Sequence, residues 1–147
     1  MAEPLALYVH WPFCVSKCPY CDFNSHVRDR VDQDVWRAAL LADLRHEAAL
    51  LGKRRVSSIF FGGGTPSLMP PSTVAAVIAE AEALWGLADE CEITLEANPN
   101  SVEIAAFADL AAAGVNRVSI GVQSFDPQVL AFLGRAHSGG EARRAIA

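Results

Sequence analysis

Apolar runs of strand length alternate with amphipathic helical stretches along nearly the whole chain, and this alternation restricts the fold more than any other feature. Leu5 to His10 reads as a strand. Asp32 to Leu51 reads as a helix, because Trp36, Leu40, Leu44, Ala48 and Leu51 recur at helical spacing and Gly52 stops it. Ser58 to Phe61 is a short buried strand running into Gly62-Gly63-Gly64. Pro71 to Trp85 is a helix with Val74, Val77, Ile78, Ala81, Leu84 and Trp85 on one face and Gly86 after it. Cys91 to Glu96 is the next strand. Glu103 to Ala113 is a helix with Asn100 or Ser101 as cap and Gly114 as stop. Asn116 to Gln123 is a strand, Asp126-Pro127 opens a short helix ending near Gly134, and a last helix starts near Glu141.

Strands separated by helices pair in parallel, since a parallel crossover needs a long connection. The expected class is therefore α/β, with parallel strands and outer helices. No polar linker divides the sequence, so residues 1–147 are expected to form one domain of about four βα units. That is too few to close a standard eight-stranded barrel. The sequence stops inside a helix without a stop signal, so it is expected to be the N-terminal part of a longer protein.

Apolar residues make up 52% of the 147, enough for a core and against a disordered chain. A formal charge of −5 gives no electrostatic case for nucleic acid, and Lys53-Arg54-Arg55 reads as a solvated loop. No apolar stretch is long enough to span a bilayer, and the first residues have no pattern of a signal peptide. The expected setting is the reducing cytoplasm, where clustered thiols mean metal or redox chemistry rather than disulfides.

In parallel α/β folds, sites form where strands end. The first strand is followed by His10 and then by Cys14, Cys18 and Cys21, spaced C-x3-C-x2-C. The second is followed by Gly62-Gly63-Gly64-Thr65-Pro66, the third by Glu96-Ala97-Asn98-Pro99 and the fourth by Gln123-Ser124-Phe125. Three thiolates can hold three irons of a [4Fe–4S] cluster and leave the fourth iron open, whereas electron-transfer clusters use four cysteines. Two other chemistries remain open for the loop. Zinc could take the cysteines with His10 or His26, and Cys18-Pro19-Tyr20-Cys21 is also a C-x-x-C dithiol. Each explains part of the loop, and neither accounts for the glycine, Glu96 and Gln123 strand ends. A bare glycine backbone admits a ligand closely, or it only makes a tight turn. Glu96 is either an exposed strand end or an acceptor, and Gln123 can both donate and accept. Arg135 can fork onto a carboxylate. Cys91 reads as a core thiol and His46 as solvated.

Read in order, Tyr8-Val9-His10-Trp11-Pro12-Phe13-Cys14, Cys18-Pro19-Tyr20-Cys21-Asp22-Phe23-Asn24-Ser25, Phe61-Gly62-Gly63-Gly64-Thr65-Pro66-Ser67, Glu96-Ala97-Asn98-Pro99, Ser119-Ile120-Gly121-Val122-Gln123-Ser124-Phe125 and Leu133-Gly134-Arg135-Ala136-His137 resemble the radical S-adenosylmethionine (SAM) superfamily. Within it they resemble the oxygen-independent coproporphyrinogen III oxidase family. The resemblance implies the N-terminal portion of a partial (βα)6 TIM-like barrel. It implies a [4Fe–4S] cluster on Cys14, Cys18 and Cys21, and SAM contacts at Tyr8, Tyr20, Gly63, Gly64, Thr65, Glu96, Gln123 and Arg135. In enzymatic members an electron from the cluster cleaves SAM to a 5′-deoxyadenosyl radical. The oxidases carry a further cysteine two residues after the third motif cysteine, where this chain has Phe23. That departure resembles the sister group, the heme chaperones of the HemW type. It implies heme binding, transfer to a heme-acceptor protein and an electron donor for the cluster, and it assigns no catalytic residue. The alternative is oxidative decarboxylation of a porphyrinogen.

Overall fold

The computed structural model describes residues 2–147. Its centre is a four-stranded sheet of β1 (Glu3–Trp11), β4 (Arg54–Gly63), β5 (Leu87–Ala97) and β6 (Arg117–Ile120), in that order and parallel throughout. A separate parallel pair, β2 (Phe13–Cys14) with β3 (His26–Val27), frames the cysteine loop. The helices are α1 (Gln33–Leu51), α2 (Pro71–Trp85), α3 (Ser101–Ala105), α4 (Phe107–Ala112), α5 (Pro127–Phe132) and α6 (Gly139–Ile146), with a 3-10 turn at Pro66–Leu68. The α/β class and parallel sheet read from the sequence are those observed.

Alternation of side chains along the strands decides which face is covered. Val9, Trp11, Val56, Ile59, Phe61, Ile93 and Leu95 point into the core with Val74, Val77 and Ala81 of α2. Burying each of the Val, Ile, Leu and Phe side chains among these stabilises the fold by about 1.5–3 kcal/mol. None of the residues of α1 is fully buried; Trp36, Leu40, Leu44 and Ala48 pack partly against this core. Its start follows from Asp32, whose carboxylate accepts from the Val35 amide at 3.1 Å. The opposite sheet face carries Tyr8, Phe60, Glu92, Glu96, Arg117 and Ser119 and is not covered by a helix layer.

Several elements differ from the sequence reading, each for a local reason. Strand β4 begins at Arg54, so the basic stretch is not a loop there; Arg54 pairs with Glu3 at 3.4 Å and Arg55 with Asp89 at 3.0 Å. The expected helix from Glu103 is two, because the Ala106 amide turns back to Glu103 at 3.1 Å and tightens the turn. Strand β6 stops at Ile120 rather than Gln123. Its neighbour β5 ends at the paired Ala97, and beyond it short backbone bonds from Val122 to Ile120 and Ser124 to Val122 curl the chain. Gln123 therefore lies in a loop, with φ 62°.

The register brings the carboxyl ends together. Trp11 lies opposite Gly63, Phe61 opposite Leu95, and Ala97 opposite Ile120. The residues following these ends face one region of the molecule.

Candidate functional site

A cavity of about 780 Å³ opens at the carboxyl ends of the strands. Cys14, Cys18 and Cys21 line it together with Tyr20, Gly63, Gly64, Thr65, Glu96, Gln123 and Arg135. Of the residues expected to hold the cluster or contact SAM, Tyr8 alone lies outside that lining. It sits 60% exposed on β1, stacked on Phe60 at 6.3 Å. Burial of its ring, and then the nearby Glu96 charge, raise its hydroxyl pKa.

The cysteine loop is held at its entrance and its exit. Cys14 belongs to β2, and the His26 amide closes the loop by donating to Pro12 at 2.6 Å. The Cys21 amide donates to Cys18 at 3.0 Å, turning the chain so that both thiols lie on one loop. All three are free and half-buried. His10 props the loop from below: its Nδ1 accepts from the Tyr8 hydroxyl at 3.0 Å, which leaves Nε2–H to donate to the Asn24 carbonyl at 2.8 Å. Both ring nitrogens of His10 are thus engaged within the protein. His26 is exposed and bonded to Asn24 Oδ1. Among the described residues no three His, Cys, Asp or Glu side chains converge closely enough to hold one metal ion.

The glycine run has a packing cause in addition to any ligand. The Gly64 amide donates to Trp11 at 2.6 Å and the Thr65 amide to Phe13 at 2.8 Å, which ties this loop to the segment leading into Cys14. A Cβ at Gly64 would stand 2.6 Å from the Phe13 carbonyl oxygen, and one at Gly63 would stand 2.6 Å from the His10 ring. Gly63 also has φ 112°, a conformation suited to glycine. Its amide donates to Glu96 Oε2 at 3.3 Å, so Glu96 is a half-buried acceptor at the end of β5 rather than a solvated strand end.

Arg135 enters the same cavity from the far end of the chain. Its guanidinium donates to Cys18 Sγ at 3.2 Å, to Asn98 Oδ1 at 2.8 Å and to the Gly121 carbonyl. His137 follows, buried, with Nε2 against the Val122 carbonyl at 3.0 Å. Burial first, then the Arg135 charge, lower its pKa. The Tyr20 hydroxyl pKa is raised, by burial and then by Cys18.

Glu103 is a cavity-lining carboxylate that sequence reasoning passed over. It is 3% exposed and lines the cavity. Oε1 accepts from the Ser67 hydroxyl and from the Asn98 amide at 2.8 Å, and Oε2 accepts from the Asn100 side chain. Asn100 in return accepts from the Glu103 amide at 3.0 Å. Its carboxylate thus ties the glycine loop to the end of β5. The signal was Asn100-x-x-Glu103, a capping-box spacing at a helix start. Cys91 is a core thiol whose pKa burial raises, and His46 is exposed, both as read from the sequence.

The donor set fits a soft metal cluster: three free thiols on one cavity, with uncharged and acceptor groups from three other strand ends around it. Residues 8–147 match the family described as the radical SAM superfamily. The chain is 50% identical over 143 residues to the heme chaperone HemW of Escherichia coli, covering 97% of this chain and 38% of that protein. It is 48% identical over 146 residues to the mitochondrial radical S-adenosyl methionine domain-containing protein 1 of Bos taurus, covering 99% of this chain and 33% of that one. The chain thus spans about a third of the length of these relatives. Among solved structures, coproporphyrinogen III oxidase (HemN) from Escherichia coli, titled a radical SAM enzyme, superposes with a TM-score of 0.82. It is 30% identical, and the match covers 97% of this chain and 35% of that one. The fold is therefore the N-terminal part of that enzyme's radical SAM fold.

Proposed function

The chain belongs to the radical SAM superfamily, and on that footing we propose that it is the SAM- and cluster-binding part of a heme chaperone, which binds heme and passes it to an acceptor protein. The observation that carries this reading is the shared cavity: three free cysteines and the predicted SAM-contact groups, Tyr8 apart, line one space of about 780 Å³. Cys14, Cys18 and Cys21 would hold a [4Fe–4S] cluster. When bound, that cluster supplies an electron to SAM.

The protein's own residues bind and orient. The bare Gly63-Gly64 backbone, its amides already bonded within the protein, admits close approach, and the Glu96 carboxylate beside it offers an acceptor, suited to the amino-acid and ribose ends of SAM. Glu96 is already drawn toward the glycine loop by the Gly63 amide, so its orientation is set before a ligand arrives. Tyr20 lies within the cysteine loop, Arg135 reaches that loop at Cys18 Sγ, and Gln123 lines the same cavity. Heme, its acceptor and an electron donor belong to this proposal for the whole protein, as does a cytoplasmic setting that keeps the thiols reduced. Among the described residues no helix is long and apolar enough to cross a membrane.

A second reading, oxidative decarboxylation of a porphyrinogen, draws on the structural likeness to the coproporphyrinogen oxidase. Against it stands Phe23, 58% exposed on the cysteine loop, where that family has a cysteine. Electron paramagnetic resonance of the anaerobically reconstituted, dithionite-reduced protein tests the proposal. A [4Fe–4S] signal that changes with SAM is expected, together with heme binding by the complete gene product and no decarboxylation of coproporphyrinogen III. Cys18→Ser should lose the cluster's absorption, and a variant retaining full iron would remove Cys18 from the ligand set. Decarboxylation by the wild type would select the second reading.

A further inference from the structure

An arginine can fork onto a carboxylate, but within the protein the Arg135 guanidinium meets a sulfur. Nη1 lies 3.2 Å from Cys18 Sγ, within the range of an N–H···S hydrogen bond, while Nη2 is held by Asn98 Oδ1 at 2.8 Å and by the Gly121 carbonyl. Asn98 and Gly121 follow β5 and β6, so the side chain is braced by two strand ends while it reaches a third loop.

The backbone is set as firmly. Helix α5 ends in a Schellman arrangement: the Gly134 amide donates to Ala131 at 3.1 Å and the Arg135 amide to Leu130 at 2.9 Å, with Gly134 at φ 67°. A Cβ at Gly134 would stand 2.9 Å from Pro19 Cδ, so this turn packs directly on the cysteine loop. Arg135 Nε is buried and has no partner in the protein.

Resting on the cluster-binding reading above, we propose that Arg135 donates an N–H···S hydrogen bond to the Cys18 thiolate of the bound cluster and thereby raises the cluster's reduction potential. Arg135 is a positioning residue in this role, since it acts through a ligand. The sign follows from electrostatics. A reduced cluster carries one more negative charge, and both the hydrogen bond and the fixed cation favour that state. Hydrogen bonds to ligand sulfurs are among the principal controls on cluster potential. The reading and this proposal make separate claims, since a cluster can form on three cysteines whether or not Arg135 touches one.

The test uses the complete gene product, reconstituted anaerobically without SAM, with arginine labelled by 15N. Electron–nuclear double resonance on the reduced cluster should show a nitrogen coupling in the wild type that is lost in Arg135→Gln. In a redox titration followed by electron paramagnetic resonance, Arg135→Gln should lower the reduced-to-oxidised ratio at fixed potential about tenfold, a shift of about 59 mV to more negative values for a one-electron couple. A full cluster without that coupling in the wild type overturns the proposal and leaves the cluster reading intact. So does a full cluster in the variant at the wild-type potential. If Arg135→Gln fails to hold its cluster, the coupling in the wild type decides alone, because that measurement needs no variant. Failure of the wild type to form any cluster removes the functional reading, and this proposal with it.

Discussion

Removal of the Glu103 carboxylate is the perturbation whose size the structure defines best. Glu103 is 3% exposed, and its acceptors serve the Ser67 hydroxyl, the Asn98 amide and the Asn100 side chain. A hydrogen bond to a charged group is worth about 1.5–3 kcal/mol net, and a buried donor left unpaired costs about 1–3 kcal/mol. In Glu103→Ala the Asn98 amide cannot turn away, because backbone fixes it. The Ser67 hydroxyl and Asn100 side chain can rotate toward the cavity and recover part of their loss. The expected destabilisation is therefore about 3–4 kcal/mol, nearer one strong bond and one orphaned donor than the sum of all three. Set against a usual total of about 5–15 kcal/mol, that is a large fraction.

Glu103→Gln separates charge from shape. Its carbonyl oxygen can keep Ser67 and Asn98, but its amide nitrogen then faces the Asn100 amide nitrogen, donor against donor. Asn100 could flip to accept, and would then give up its bond from the Glu103 amide, which caps α3. Either way about one neutral hydrogen bond is lost, so about 1 kcal/mol is expected. Urea denaturation of the purified protein, read by far-ultraviolet circular dichroism and compared at constant m, measures both values. A loss below about 1 kcal/mol in Glu103→Ala, or equal losses in both variants, would refute the reasoning.

Gly64→Ala should disturb the site more than the stability of distant parts, because its new methyl would meet the Phe13 carbonyl at 2.6 Å and push the glycine loop off the segment leading to Cys14. Amide exchange should rise at Thr65, whose amide is bonded to Phe13, and unchanged protection there would refute the contact. Acidification gives a further check. His137 has its pKa lowered from the usual 6.5, so the unfolded chain takes up the proton first as pH falls. Its contribution is fully present above about pH 6.5 and declines as pH drops from there toward the folded value, so stability should fall in that window. His137→Gln should flatten that slope, and an unchanged slope would assign it elsewhere. The lowered carboxylates Glu80 and Glu141 act separately, their contribution being present above about 4.5 and lost below it.

Local rules carried the elements whose causes are local. Helix α2 was readable at both bounds because Pro71 sits in its first turn and Gly86, with φ 73°, ends it. The cap at Asp32 and the stops at Gly52 and Gly114 are of the same kind. Hydrophobic alternation revealed the buried middles of β4 and β5 but not their starts. Arg54 and Arg55 are polar residues that pair only because β1 lies beside them, and Asp89 and Glu90 fall in the register shift between the Val56–Leu87 and Ser58–Glu92 pairs. The two-residue strands β2 and β3 have no period to detect at all.

The candidate site divides along the same physical line. That Cys14, Cys18 and Cys21 belong together is a matter of spacing, and spacing is visible in a string of letters. That Arg135 reaches Cys18 depends on β6 lying beside β5, on α5 ending in a glycine that packs on Pro19, and on Asn98 and Gly121 bracing the guanidinium. Of these only the glycine is encoded beside Arg135, and what it packs on is not. In a parallel sheet each strand end is separated from the next by a helix, so residues that meet at the site are necessarily distant in sequence. The residue types at strand ends can therefore be read in advance, whereas the partner each one meets is set by sheet order and register. Glu103 shows both halves: its capping-box position was legible, and its bond to Ser67 was not, because that bond requires the glycine loop and the end of β5 to be neighbours.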